Sequence, residues 1–533
     1  MLIAGHIVGG RFEVRRRIGS GGMGEVFEAF DRDRGDTIAI KTLARADADT
    51  FARFKREFRA LQSTAHPNLV SIRELINADN LWFFTMELVD GRHFLEHVRG
   101  DRDKLRAALR QLVIGLCALH AAGLVHRDIK PSNIMVTREG RVVILDFGLV
   151  TNLDPTRQST AAGPIGTVEY MAPEQATGRQ VGEAADWYSV GVILYEALTG
   201  KVPHNGHALQ ILVEKQQVEP THPQELSPGA PADLCDLCME LLAIEPTDRP
   251  KGSAIARSLG IELGDGAPTT STPMTSPVFV GRDRELAALE AAAERARSSA
   301  RVHLVVGESG IGKSELVARF ARALAEREPD ALILSGRCYE RESVPYKAFD
   351  GVADGFAQEL ARMRDADLAP LLPERPSLLV RLFPVFQRVE LIASAPAPER
   401  EVGEPHEQRR RMFAALRELL GACARARRIV ITIDDLQWAD ADSFLLLREL
   451  FRGAGAPPVL VLATVRGGER DADALALDGL QLERTRVGPL TDEESHALAE
   501  RVMPGAAARF DLERVAREAG PREPVQGPAR EAG

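Results

Sequence analysis

The sequence predicts two folded regions in series: an α+β first half, with a small sheet-rich lobe before a larger helical lobe, and an α/β second half with a mostly parallel sheet. Three observations carry this expectation. Strand patterns crowd the chain up to about residue 90 and helical patterns replace them afterwards; strands alternate with longer helices beyond residue 278; and GDGAPTTSTPMTSP, from Gly264 to Pro277, separates the two regions without apolar periodicity. The expected divisions are 1–262 with a core of 12–259, a flexible linker over 263–277, a second and incomplete domain over 278–510, and an irregular tail over 511–533.

In the first half, Phe12 to Ile18, Glu25 to Asp31 and Thr37 to Leu43 read as successive strands, and Phe51 to Ser63 as a helix. Leu105, Leu109, Leu112, Val113, Leu116 and Leu119 share one helical face, while Val190, Leu194, Ala197 and Leu198 belong to a second, buried helix. In the second half, Arg301 to Val306, Arg428 to Ile433 and Val459 to Thr464 read as apolar strands. Ser314 to Glu326 reads as a helix with Leu316, Phe320 and Leu324 on one side.

Composition narrows the function classes. The 533 residues are 44% apolar and 27% charged, as in a soluble globular protein, and no run approaches the ~20 apolar residues that cross a bilayer. The start MLIAGHIVGG has no basic region before its short apolar stretch, so a cytoplasmic location without a membrane partner is expected. A net charge of −10 argues against broad nucleic-acid affinity. The five cysteines are sparse, and Cys235 and Cys238 fall among leucines at helical spacing, which favours packing over metal binding.

The segment IGSGGMGEVF places Gly19, Gly21 and Gly24 in a G-x-G-x-x-G pattern followed by Val26. Glycines let a hairpin close over phosphates, and the position between two strands disfavours the dinucleotide-binding use of the same spacing. Lys41 follows on the next strand, and Glu57 in RFKREF is the carboxylate expected to pair with it and orient it towards phosphate. HRDIKPSN then supplies Asp128, Lys130 and Asn133, and ILDFG supplies Asp146. Asp128 can accept or orient the proton of an incoming hydroxyl, Lys130 can neutralise a transferred phosphoryl group, and Asn133 with Asp146 can hold magnesium.

With these motifs, the region from about Phe12 to Leu259 resembles the eukaryotic-type serine/threonine protein kinases found in bacteria. The resemblance implies the bilobal protein kinase fold, ATP and Mg2+ as cofactors, and nucleotide contacts from Ile18, Gly19, Gly21, Gly24, Val26, Ala39, Lys41 and Met86. GTVEYMAPEQ is similar to the family's substrate-docking segment, with Thr167 at its threonine position. The same resemblance implies an ion pair between Glu174 and Arg249, a brace from Asp186 to the catalytic loop, and activation-segment phosphosites among Thr156, Ser159 and Thr160.

A second phosphate motif lies in VHLVVGESGIGKSELV, where Gly307, Gly310, Gly312, Lys313 and Ser314 follow an apolar strand and open a helix. Loop N–H groups and the helix N-terminus suit phosphates, Lys313 suits the β- and γ-phosphates, and Ser314 suits magnesium. RRIVITIDDLQWAD ends a strand in Asp434, expected on the metal side, and Asp435, a candidate for orienting water; the two assignments could be exchanged. Together with VFVGRDREL, this region resembles the AAA-like signal-transduction (STAND-type) P-loop ATPases.

The expected function is transfer of the ATP γ-phosphate to Ser/Thr hydroxyls of proteins, including this chain itself, beside a second ATP-binding regulatory module. Self-association or a regulatory protein is expected at the second domain, and nucleic acid is not. The alternative is a non-catalytic ATP-binding scaffold, which the absence of Lys41, Asp128 or Asp146 would favour. All three are present.

Overall fold

A computed structural model describes residues 2–21, 24–43, 48–62, 64–79, 81–145, 151–152, 168–177, 181–262, 279–396, 405–453, 455–468, 473, 475 and 477–502. The linker expected over 263–277 and the tail expected over 511–533 lie outside these residues. The chain divides into two compact units: Met1–Thr270 with the short segment Arg341–Val344, and Ser271–Glu340 with Pro345–Gly533.

The larger sheet of the first unit runs in the order Ile7–Val8, Phe12–Gly21, Gly24–Asp31, Asp36–Thr42, Leu81–Glu87, Ile72–Ala78 and Glu342–Ser343. Its pairs are antiparallel except at the edge, where Glu342 and Ser343 lie parallel to Leu75 and Ile76. Period-two alternation explains one of its faces: Val8, Phe12, Val14, Phe27, Ala29, Ile38, Ile40 and Phe83 form a single cluster. The helix Ala48–Gln62 packs beside this sheet through Phe54 and Phe58, one turn apart, whose rings lie 4.9 and 6.1 Å from that of Phe84. Anchoring that stripe fixes the direction of Glu57 on the neighbouring part of the helix.

The helical lobe follows the expected apolar faces. The helix Arg102–Ala121 starts at Asp101, whose carboxylate accepts from the N–H groups of Asp103 and Lys104, and it buries Leu105, Leu109, Leu112, Val113, Leu116 and Leu119. The helix Glu183–Thr199 is buried continuously from Ala185 to Tyr195 and ends at Gly200, with φ +75°. Cys235 and Cys238 sit buried in the helix Ala232–Leu241, where the Cys238 thiol donates to the Gly191 carbonyl at 3.4 Å.

The second unit is built on a five-stranded sheet in the order Leu332–Arg337, Ile429–Asp434, Val459–Arg466, Arg301–Gly307 and Leu482–Arg486, every pair parallel. Its apolar runs are continuous because both faces are covered. Val459, Val461, Ala463 and Val465 join a core shared with the helices Lys347–Ala361, Pro405–Ala426 and Ala441–Phe451. Leu460 and Leu462 turn the other way, onto the helices Asp283–Arg295 and Lys313–Arg327. The α+β first unit and the mostly parallel second one match the expected fold class. Among the described residues no helix is long and apolar enough to cross a membrane.

Candidate active site

Asp128 stands on a loop between the strand Leu124–Val125 and the turn Pro131–Asn133. Lys130 Nζ donates to Asp128 Oδ2 at 2.8 Å and Oδ1 at 3.1 Å, and Asn133 Nδ2 donates to the Asp128 carbonyl at 2.8 Å and to Oδ2 at 3.1 Å. Two residues of HRDIKPSN, Lys130 and Asn133, thus converge on the carboxylate of a third. The Asn133 carbonyl oxygen is left as the amide's metal-type donor, a hard oxygen suited to magnesium.

The loop is held from below by Asp186, which is fully buried. Its carboxylate accepts from His126 N–H at 2.8 Å and Arg127 N–H at 2.7 Å, and lies 2.8 Å from His120 Nε2. Burial pushes the Asp186 pKa up, but His120, His126 and the backbone donors outweigh it and hold the carboxyl below its usual range. The brace matters because Arg127 adopts φ +66°, a conformation that non-glycine residues rarely take unaided.

On the sheet side, Lys41 Nζ lies 2.6 Å from Glu57 Oε1, with both side chains nearly excluded from solvent. Gly19 pairs with Val26 and Gly21 with Gly24, closing the glycine hairpin. Val26 lies opposite Lys41, and Ala39 opposite Met86. Ile18 is exposed, Val26 and Met86 are half-buried and Ala39 is buried. Sheet pairing therefore aligns most of the expected nucleotide-contacting residues with Lys41.

Arg249 forms a buried two-pronged ion pair with Glu174, at 2.7 and 2.9 Å, and Arg249 also donates to the carbonyls of Ala184, Ala243 and Ile244. Gln175 Nε2 donates to the Arg127 carbonyl at 2.9 Å, fastening the segment around Glu174 to the chain beside Asp128. Asp146, Thr156, Ser159, Thr160 and Thr167 lie outside the described residues.

In the second unit, Gly310 and Gly312 take φ +78° and +96°, which a side chain would strain, before the helix Lys313–Arg327 begins. Lys313 Nζ donates to the loop carbonyls of Gly307 at 2.8 Å and Glu308 at 2.7 Å, and burial lowers its pKa. Ser314 Oγ donates to Asp434 Oδ1 at 2.7 Å, joining two hard oxygen groups suited to magnesium.

Asp435 faces a different set. Its carboxylate accepts from Arg466 at 2.8 and 3.2 Å, from Gln437 at 2.9 Å and from Arg337 at 3.3 Å. Burial raises its pKa, but these partners outweigh it and the carboxyl titrates below its usual range. Thr464 Oγ1 accepts from Asp435 N–H at 2.9 Å and lies 2.6 Å from Asp434 Oδ1. Sequence reasoning missed the roles of Arg337, Gln437, Thr464 and Arg466. A signal existed, since Arg337, Thr464 and Arg466 are polar residues at the C-terminal ends of parallel strands, where ligands of open α/β sheets bind.

Comparison with known proteins finds a different family for each of two regions of the chain. Residues 12–258 match the protein kinase domain family, and residues 278–462 match the AAA ATPase domain family. Serine/threonine-protein kinase PrkC of Bacillus subtilis is 32% identical over 257 residues, covering 46% of this chain and 40% of PrkC. Probable serine/threonine-protein kinase PknB of Bifidobacterium longum is 36% identical over 263 residues, covering 46% of this chain and 38% of its own. Serine/threonine-protein kinase PknA of Mycobacterium tuberculosis is 36% identical over 257 residues, covering 46% of this chain and 59% of its own. The chain therefore spans less than two thirds of each of these relatives. At the level of families, it carries a eukaryotic-type serine/threonine protein kinase domain fused to a distinct AAA-like P-loop ATPase domain.

Proposed function

We propose that the first unit transfers the γ-phosphoryl group of ATP to serine or threonine hydroxyls of proteins, this chain among them. The observation that carries the reading is the convergence of Lys130 and Asn133 on Asp128, on a loop braced by Asp186, in a unit that also holds the buried Lys41–Glu57 pair. Asp128 orients the acceptor hydroxyl and takes its proton as the new O–P bond forms. The bond from the γ-phosphorus to its bridging oxygen breaks, ADP carries away the electron pair, and Lys130 offsets charge on the moving group. Lys41, aimed by Glu57, holds the α- and β-phosphates. Magnesium, held by Asn133 and Asp146, would neutralise phosphate charge.

The second unit, in this proposal, binds ATP through the loop from Gly307 to Ser314, with Asp434 and Ser314 on the metal side. Asp435 has its oxygens engaged by Arg466, Gln437 and Arg337, which suits a sensing or positioning role for that group. Self-association or a regulatory partner belongs to this unit in the same reading. Incubating the full chain with γ-labelled ATP and counting protein-bound label tests the first claim, with the Asp128→Ala chain as its control.

A further inference from the structure

Lys215 follows directly on the helix Ala208–Glu214 and is 1% exposed, yet among the described residues no carboxylate pairs with its ammonium at close range. Its three protons go to three backbone carbonyls: Val168 at 2.9 Å, Glu169 at 2.5 Å and Met171 at 2.8 Å. The intervening carbonyl, that of Tyr170, accepts from Ser189 Oγ at 2.8 Å. Four successive carbonyls are thus fixed, three of them by one side chain. Burying an ammonium is costly, and an apolar residue would fill the space at less expense.

The gripped segment runs on into the short helix Pro173–Ala176, which is bonded to the catalytic loop. From that helix Gln175 donates to the Arg127 carbonyl, next to Asp128, and within the segment Tyr170 O–H donates to Glu196 at 2.5 Å. A shift at Val168–Met171 is therefore passed along the chain to Gln175 and so to the backbone next to Asp128, where the acceptor hydroxyl reacts.

We propose that Lys215 is a positioning residue for protein acceptors: its ammonium sets the height of the segment Val168–Met171 beside Asp128 and so determines how well an acceptor chain is seated. This deepens the kinase reading and rests on it. Burial brings the Lys215 pKa down to about 7, with Glu169 opposing the fall. The other charged or titratable groups around it are His204, whose own pKa falls through burial and then through Lys215; Glu214, 3.9 Å from His204; Tyr188, whose ring lies 5.3 Å from Nζ; and Arg249 over that ring. Losing a proton leaves Lys215 unable to serve all three carbonyls, so acceptor seating weakens as pH rises.

The test is steady-state kinetics of the full chain with dephosphorylated casein as acceptor, varying casein and ATP separately, for the wild type and Lys215→Met. The expected result is a casein KM raised about tenfold with the ATP KM unchanged, and a wild-type casein KM that climbs between about pH 6 and about pH 8.5 while that of Lys215→Met stays flat. An unchanged casein KM in a folded Lys215→Met chain overturns the proposal. If that variant does not fold, Lys215→Gln is measured in its place: a raised casein KM with an unchanged ATP KM supports the proposal, and an unchanged casein KM overturns it. Absence of label transfer by the wild type, with ATP bound, removes the kinase reading itself.

Discussion

Lys41 and Glu57 meet at 2.6 Å across the gap between a strand and a helix, and each is almost wholly buried. Their contact depends on Phe54 and Phe58, which press the helix Ala48–Gln62 against Phe84 on the sheet. An oriented ammonium is the product of apolar packing one residue away from the carboxylate that aims it.

Replacing Glu57 by Gln removes the charge but keeps the shape, weakening the contact that aims Lys41 at phosphate. Phosphoryl transfer is expected to fall about 10²-fold, as for a comparable misplacement of a positioning group. Labelled-phosphate transfer checks this, with retention of the melting transition showing that the fold persists.

Arg249→Ala leaves Glu174 charged and buried without its partner. Loss of about 3–5 kcal/mol from the first unit is expected. Arg249→Lys recovers little, because a single ammonium cannot reproduce two parallel bonds to the carboxylate. Calorimetry of the full chain reads this as a lowered first-unit transition.

Asp186 predicts acid sensitivity. Its folded pKa is depressed, so its contribution to stability is fully present above the ordinary aspartate value of about 4 and is lost as pH falls through the folded value. Asp186→Asn, which cannot accept both backbone N–H bonds as an anion, is expected to cost about 1.5–3 kcal/mol near neutral pH and to flatten the acid limb. Thermal melts across the acid range report both effects.

Lys313→Ala is expected to weaken nucleotide binding to the second unit at least about tenfold, since the β- and γ-phosphates lose their cation. Equilibrium dialysis with labelled ATP checks it: two nucleotides per wild-type chain fall to one at moderate concentrations. Two per variant chain would place the second nucleotide elsewhere.

Much of the arrangement was legible in the sequence because local patterns carry it. Period-two and helical spacing anticipated the main strands and helices, and HRDIKPSN packs Asp128, Lys130 and Asn133 so tightly along the chain that their convergence follows from one loop. The Arg249–Glu174 pair spans 75 positions and was expected only through family resemblance. Lys215 carried no signal at all, because its three partners are backbone carbonyls, and carbonyls have no residue type to read. Arg466 reaches Asp435 only once two strands lie side by side, a pairing that apolar runs announce without specifying register.

The most direct test of the central claim is transfer of labelled γ-phosphate to protein by the full chain and by its Asp128→Asn counterpart, counted as protein-bound label. The expected result is labelling by the wild type and a fall of about 10²–10⁴-fold in the variant, the range for losing a positioned proton acceptor. Equal labelling by the two chains would contradict it and place the reacting carboxylate elsewhere.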